Sequence, residues 1–117
     1  MSESTEQQAL FEWAEIAAKK TPELKLLHAI PNGGKRHIST AVRLKKEGVK
    51  SGVPDVCLPV PKGEYHGLYI EMKVGRNKPS ANQKWWIEQL RKQGYMVEVC
   101  YSWGEAVKVI TEYMIGV

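Results

Sequence analysis

The sequence predicts an α/β domain built on a small mixed sheet flanked by helices. Three observations carry that prediction. Apolar runs of strand length alternate with segments whose apolar residues recur at helical spacing. Turn-forming Gly, Pro, Asn or Ser residues separate them at most junctions. The resulting order is helix, strand, helix, strand, strand, helix, strand, helix, with helices expected on both faces of the sheet.

Each element has its own warrant. Ser2 or Ser4 can cap a first helix, with Ser4-x-x-Gln7 as a capping box and Leu10, Trp13, Ala14 and Ala17 on one face. Thr21-Pro22 ends it, because the residue before proline is driven out of the helical region. "LKLLHAI" reads as a strand stopped by Pro31-Asn32-Gly33-Gly34. Residues Ile38 to Glu47 form a short basic helix with Ala41, Val42 and Leu44 inward and Gly48 as its C-cap. "DVCLPV" and "GLYIEMKV" are two strands joined by the turn-rich "PKGEYHG". Ser80 caps a third helix, Ala81 to Gln93, followed by Gly94. "YMVEVCYS" is a strand with Val97, Val99 and Tyr101 on one face. "WGEAVKVITEYMI" is a closing helix with Ala106, Val109, Ile110 and Tyr113 inward.

The 117 residues suit one domain, spanning 1–117, with enough chain for a single core. At 43% hydrophobic and 26% charged residues, a disordered chain is excluded. No apolar run approaches the roughly 20 residues that span a bilayer, and MSESTEQQAL lacks the basic start and apolar middle of a signal peptide. Cys57 and Cys100 fall in apolar strands, where reduced, buried thiols are expected, so a cytoplasmic setting follows. The net charge of +4 is unevenly spread: residues 35–50 hold six Lys or Arg and one Glu. A basic segment beside a neutral body suits a polyanion.

The chemistry lies in "GVPDVCLPV" and "YIEMK". Asp55 opens one strand behind a Gly-x-Pro turn, and Glu71 lies 16 positions on, a hairpin's reach. Side chains alternate along a strand, so Glu71 and Lys73 share a face while Met72 points away. An E-x-K on a strand can be a surface cross-strand ion pair. Alternatively, Asp55 and Glu71 converge as oxygen ligands for Mg²⁺ or Mn²⁺, with the Met72 backbone carbonyl adding a ligand and phosphate or water filling the rest. Lys73 then faces the phosphate or the attacking water. The Pro-Asp turn, the hairpin spacing and Ser80-x-x-Gln83 downstream favour the metal site. No phosphate-binding Gly-rich ATP loop is present, nor a Cys/His zinc pattern among His28, His37 and His66. His66, in the hairpin, can fall near the site. Trp85 and Trp86 are adjacent, so one should face the core and the other solvent, a partner or an unpaired base.

"GVPD", "YIEMK" and "SANQ" resemble the PD-(D/E)XK nuclease pattern, and specifically its VRR-NUC branch. "ALFEWAE", "HAIPNGGKR", "RLKKEGVKSGVPDVCLPV", "RKQGY" and "AVKVI" look like the small stand-alone VRR-NUC proteins of phages and bacteria, so the resemblance runs over nearly the whole chain. It implies a PD-(D/E)XK (restriction endonuclease-like) core and a Mg²⁺- or Mn²⁺-dependent endonuclease for branched, flap or junction DNA. Holliday-junction resolvase-like action as a homodimer is implied too, without membrane or nucleotide cofactor. Its setting would be the cytoplasm of a bacterium or phage-infected host.

Carried over by position, Asp55 and Glu71 are metal ligands and Lys73 the catalytic lysine. Gln83 matches the family glutamine that contacts the lysine or the phosphate. The first-helix acid of an E-x-x-x-Q pattern falls on Glu3 with Gln7, with Glu6 as competitor. Asn32, Gly33, Gly34, Lys35 and Arg36 match a phosphate-gripping loop. Arg43, Lys45, Lys46 and Lys78 are further DNA contacts. The alternative is a non-catalytic DNA-binding module of nuclease fold that acts with a helicase or packaging partner.

Overall fold

The computed structural model describes residues 1–31 and 38–116. The order of elements is α1 (Glu3–Ala17), a 3₁₀ turn (Pro22–Leu26), β1 (His28–Ala29), α2 (Ile38–Lys46), β2 (Val56–Leu58), β3 (Leu68–Met72), α3 (Ala81–Lys92), β4 (Met96–Cys100) and α4 (Trp103–Met114). The four strands form one mixed sheet in the order β1-β2-β3-β4. The first two pairings are antiparallel, and β4 joins β3 in parallel through the α3 crossover. This is an α/β fold around a small mixed sheet.

Strand alternation divides the sheet into two faces. Val56, Leu58, Leu68, Ile70, Met72 and Cys100 pack with Leu10 and Ala14 of α1 and Ala106, Ile110 and Tyr113 of α4 into the main core. The opposite face carries Asp55, Cys57, Tyr69, Glu71 and Val97, and α3 lies over its β4 side. Tyr113 anchors α4 by donating its hydroxyl to the Val60 carbonyl at 2.6 Å, a buried bond. Cys57 and Cys100 are buried and unpaired. Among the described residues no helix is long and apolar enough to cross a membrane.

Several local expectations need correction. The cap of α1 is Ser2, and its reciprocal partner is Thr5 rather than a Ser4–Gln7 box; Ser4 instead accepts from Gln8 one turn on. The first part of the expected "LKLLHAI" strand, Leu24 to Leu26, belongs instead to the 3₁₀ turn. Pro22 sits at its start, and Leu24 and Leu27, three apart, both reach the core. Only His28 and Ala29 pair as strand.

The inward positions of α2 also differ. No residue of α2 is buried, and Ile38 and Val42 are exposed. Its periodicity correctly marks an amphipathic helix, but α1 and α4 already close the main core. The expected phosphate loop, Asn32, Gly33, Gly34, Lys35 and Arg36, lies outside the described residues.

Replacing Tyr113 by Phe should leave the Val60 carbonyl buried without a donor. A loss of about 1–2 kcal/mol is expected, read as a lower urea midpoint with unchanged slope. An unchanged midpoint would mean that this bond does not anchor α4.

Candidate active site

The site forms where the β2–β3 hairpin brings its two acids together. Buried Pro54 leads into Asp55, whose carbonyl accepts from the Ile30 N–H at 2.8 Å and so ties it to β1. Val56 pairs with Ile70, so Asp55 stands opposite Glu71. The Asp55 carboxylate, through Oδ2, accepts the Met72 N–H at 2.8 Å. This backbone donor favours the ionised acid.

Glu71 is 1% exposed, which rules out a surface ion pair as the meaning of E-x-K. Its Oε2 accepts from Gln83 Nε2 at 3.1 Å and lies 3.7 Å from the Lys73 ammonium. Its Oε1 is buried without any hydrogen-bond partner. Burial pushes the Glu71 acid up to about 8, and the neighbouring Asp55 charge adds to the effect, with Lys73 only partly opposing it. Burial also raises Asp55, against the pull of the Met72 N–H.

These observations describe one electrostatic problem. Two ionised carboxylates are acceptors only and cannot bond to each other. Without a cation the pair relieves itself by taking up a proton, which gives Glu71 a hydrogen to donate toward Asp55. A hard divalent cation would relieve the same crowding and would supply a positive partner for the orphan Oε1. Among the described residues no group of three or more His, Cys, Asp and Glu side chains converges as a metal cage. An all-oxygen donor set of two carboxylates fits Mg²⁺ or Mn²⁺, which keep much of their hydration, better than Zn²⁺.

The other expected residues divide by position. Lys73 is mostly buried beside Glu71, and its N–H continues the parallel ladder to the Cys100 carbonyl. Gln83 is half-buried and bonds Glu71 rather than Lys73. It bonds Glu71 with its amide nitrogen while its amide oxygen accepts the Ser80 N–H, so the cap of α3 fixes it. The Met72 side chain is in the core, and its N–H serves Asp55.

Glu3, on the first turn of α1, lies close enough for its charge to raise both Asp55 and Glu71. Glu6 is spent elsewhere: its Oε1 accepts the Trp103 N–H at 3.0 Å and caps α4 from a distance in sequence. Arg43, Lys45, Lys46 and Lys78 are exposed, and Arg43 pairs with Glu47 at 3.4 Å. His66 is not at the site. It sits before β3, with its N–H on the Gly94 carbonyl and its ring edge-on to Tyr95.

Sequence reasoning missed Asn82. Its Nδ2 donates to the Ser51 carbonyl at 2.9 Å and to Ser51 Oγ at 3.0 Å, tying the loop before Asp55 to α3. Its place beside Gln83 in "SANQ" was the available signal.

The raised acid has a consequence for stability. Glu71 binds its proton more tightly folded, near 8, than at its ordinary 4.5, so the folded state holds the extra proton between those values. Stability of the cation-free protein should therefore fall as pH rises from about 5 through 8. Glu71→Gln in EDTA should flatten that slope and melt about 5 °C higher at pH 8, with little gain at pH 5. Parallel melting profiles across pH would contradict this account.

Comparison with known proteins agrees with the geometry. The VRR-NUC domain model matches residues 2–103. A solved structure described as a "VRR_NUC domain protein" aligns over 99% of this chain and 90% of its own, with a TM-score of 0.83 and 29% identity. The Fanconi-associated nuclease 1 homolog of Schizosaccharomyces pombe is 31% identical over 78 residues, 67% of this chain. The match spans only 11% of that much longer protein. The chain belongs to the VRR-NUC family of nuclease domains.

Proposed function

We propose that this protein is a divalent-cation-dependent, structure-selective DNA endonuclease that hydrolyses phosphodiester bonds in branched DNA, in the manner of a Holliday-junction resolvase. One observation carries the reading: a buried Glu71 opposite a part-buried Asp55, with one Glu71 oxygen lacking any donor, stands beside a lysine on a nuclease fold. Asp55 and Glu71 would hold Mg²⁺ or Mn²⁺. When bound, such an ion supplies charge to polarise a phosphate and to acidify water.

The remaining work falls to the chain's own residues. The Met72 N–H and Gln83 amide keep the two carboxylates aimed at a common point. The Lys73 ammonium, drawn to 3.7 Å from Glu71, supplies positive charge where charge develops on the phosphate. Glu3 adds negative charge at the same end of the sheet and is our choice over Glu6 as the first-helix acid. The exposed Arg43, Lys45, Lys46 and Lys78, with the Asn32–Arg36 segment, would contact DNA phosphates, giving salt-dependent affinity with little sequence readout. A junction has two strands to cut and each chain one carboxylate pair, so a homodimer is expected.

Purified protein should cut labelled four-way junctions and flaps faster than linear duplex with Mg²⁺ or Mn²⁺, and not in EDTA. Lys73→Ala should lower the cleavage rate at least about 100-fold while leaving DNA affinity within a few-fold. Equal cutting by Lys73→Ala, or binding without cutting under either metal, would remove the nuclease assignment and leave a DNA-binding module. A solution mass of one chain in the presence of junction DNA would remove the dimer.

A further inference from the structure

The first turn of α3 bonds Glu71 and the loop that leads to Asp55 through consecutive residues. Gln83 bonds Glu71 directly. Asn82, immediately before it, spends its Nδ2 hydrogens on the carbonyl and hydroxyl of Ser51, 31 residues away in sequence. Ser51 opens the short loop Ser51-Gly52-Val53-Pro54 that delivers Asp55 into β2.

The fit around this contact is close. Gly52 has φ +92°, a backbone conformation that suits glycine. A Cβ there would lie 2.7 Å from Asn82 Nδ2, 2.9 Å from its Cγ and 3.0 Å from Trp86 Cδ1. The loop backbone therefore rests directly on the Asn82 and Trp86 side chains. Both α3 residues are held by a helix start that is itself closed by the reciprocal Ser80–Gln83 cap.

We infer that Asn82 is a positioning residue for the cation site. Its bond to Ser51 couples the Asp55 loop to the same helical turn that orients Glu71, so that the two carboxylates keep one separation. Their crowding makes the coupling necessary. Two like charges side by side repel, and Asp55 stands at the end of the loop that starts at Ser51. Pro54 and the Ile30–Asp55 bond set where the strand begins, and the Asn82 bond sets where the loop leaves from. This inference rests on the carboxylate pair being a divalent-cation site. It goes beyond that reading by assigning a residue that touches neither cation nor substrate.

The test compares Asn82→Ala, Asn82→Asp and Ser51→Ala with the unaltered chain. Asn82→Asp keeps the side chain's shape beneath Gly52 but removes the donor. Ser51→Ala removes only the hydroxyl contact and leaves the carbonyl bond. Mn²⁺ affinity is measured by calorimetry without DNA, kcat and KM on junction DNA with saturating Mn²⁺, and melting in EDTA.

Both Asn82 variants should bind Mn²⁺ about tenfold more weakly and turn over several-fold more slowly, with KM for DNA unchanged. Ser51→Ala should stay within about twofold of the unaltered chain on every readout. If the Asn82 variants melt lower but keep full Mn²⁺ affinity and kcat below their melting temperature, the residue is merely structural and the inference is overturned. If Asn82→Asp matches the unaltered chain, the donor is irrelevant and the inference is overturned on that ground. If the unaltered chain itself binds no Mn²⁺, the cation reading fails and takes this inference with it.

Discussion

Placing two carboxylates next to each other at the end of a buried hairpin is the constraint on which the rest of the site depends. Either acid alone would be costly to bury without partners, and together they repel. Asp55 takes the Met72 N–H, and Glu71 takes the Gln83 amide and the Lys73 charge, yet one Glu71 oxygen still has no donor. A protein selected only for stability would place an apolar pair here. Retaining the acids concentrates unfavourable electrostatics at one point, as expected of a site kept for function rather than for stability.

The scaffold around the pair follows from that need. Short strands suffice because α1 and α4 supply the burial on one face, leaving the other face for chemistry and α3. The parallel β3–β4 pairing extends beyond Met72 through the Lys73 N–H to the Cys100 carbonyl. Lys73 thereby keeps the alternation that aims its ammonium to the side of Glu71. The start of α3 has two roles at once: Ser80 and Gln83 satisfy each other's backbone donors, and the leftover Gln83 amide nitrogen is directed to Glu71. Glu6, the other acid of α1's first turns, has a comparable double use, since it belongs to one helix and caps another.

Much of this was legible before any coordinates. The hairpin spacing from Asp55 to Glu71, the shared face of Glu71 and Lys73, the Ser80 cap and the inward positions of α4 all rest on local periodicity. Strand and helix periods operate within a few residues. The 3₁₀ turn at Pro22–Leu26 was not legible, because a short apolar run has no period long enough to separate strand from turn. The inward face of α2 was misread for a different reason. Periodicity marks an apolar stripe, but only the packing of the other helices decides whether room remains for it to be buried.

By itself the sequence determined the element order and the mixed sheet, and it put Asp55, Glu71 and Lys73 forward as candidates, because each of these depends on chemistry and spacing along one short stretch of chain. Tertiary structure alone decided that Glu71 is buried, that Gln83 serves Glu71 instead of Lys73, and that Asn82 holds Ser51. It also separated Glu3, whose charge reaches the site, from Glu6, which caps α4. Those choices rest on pairs 12 to 97 residues apart in sequence. Burial and partner choice at that range depend on how the layers close on one another, and neither propensity nor periodicity carries that information.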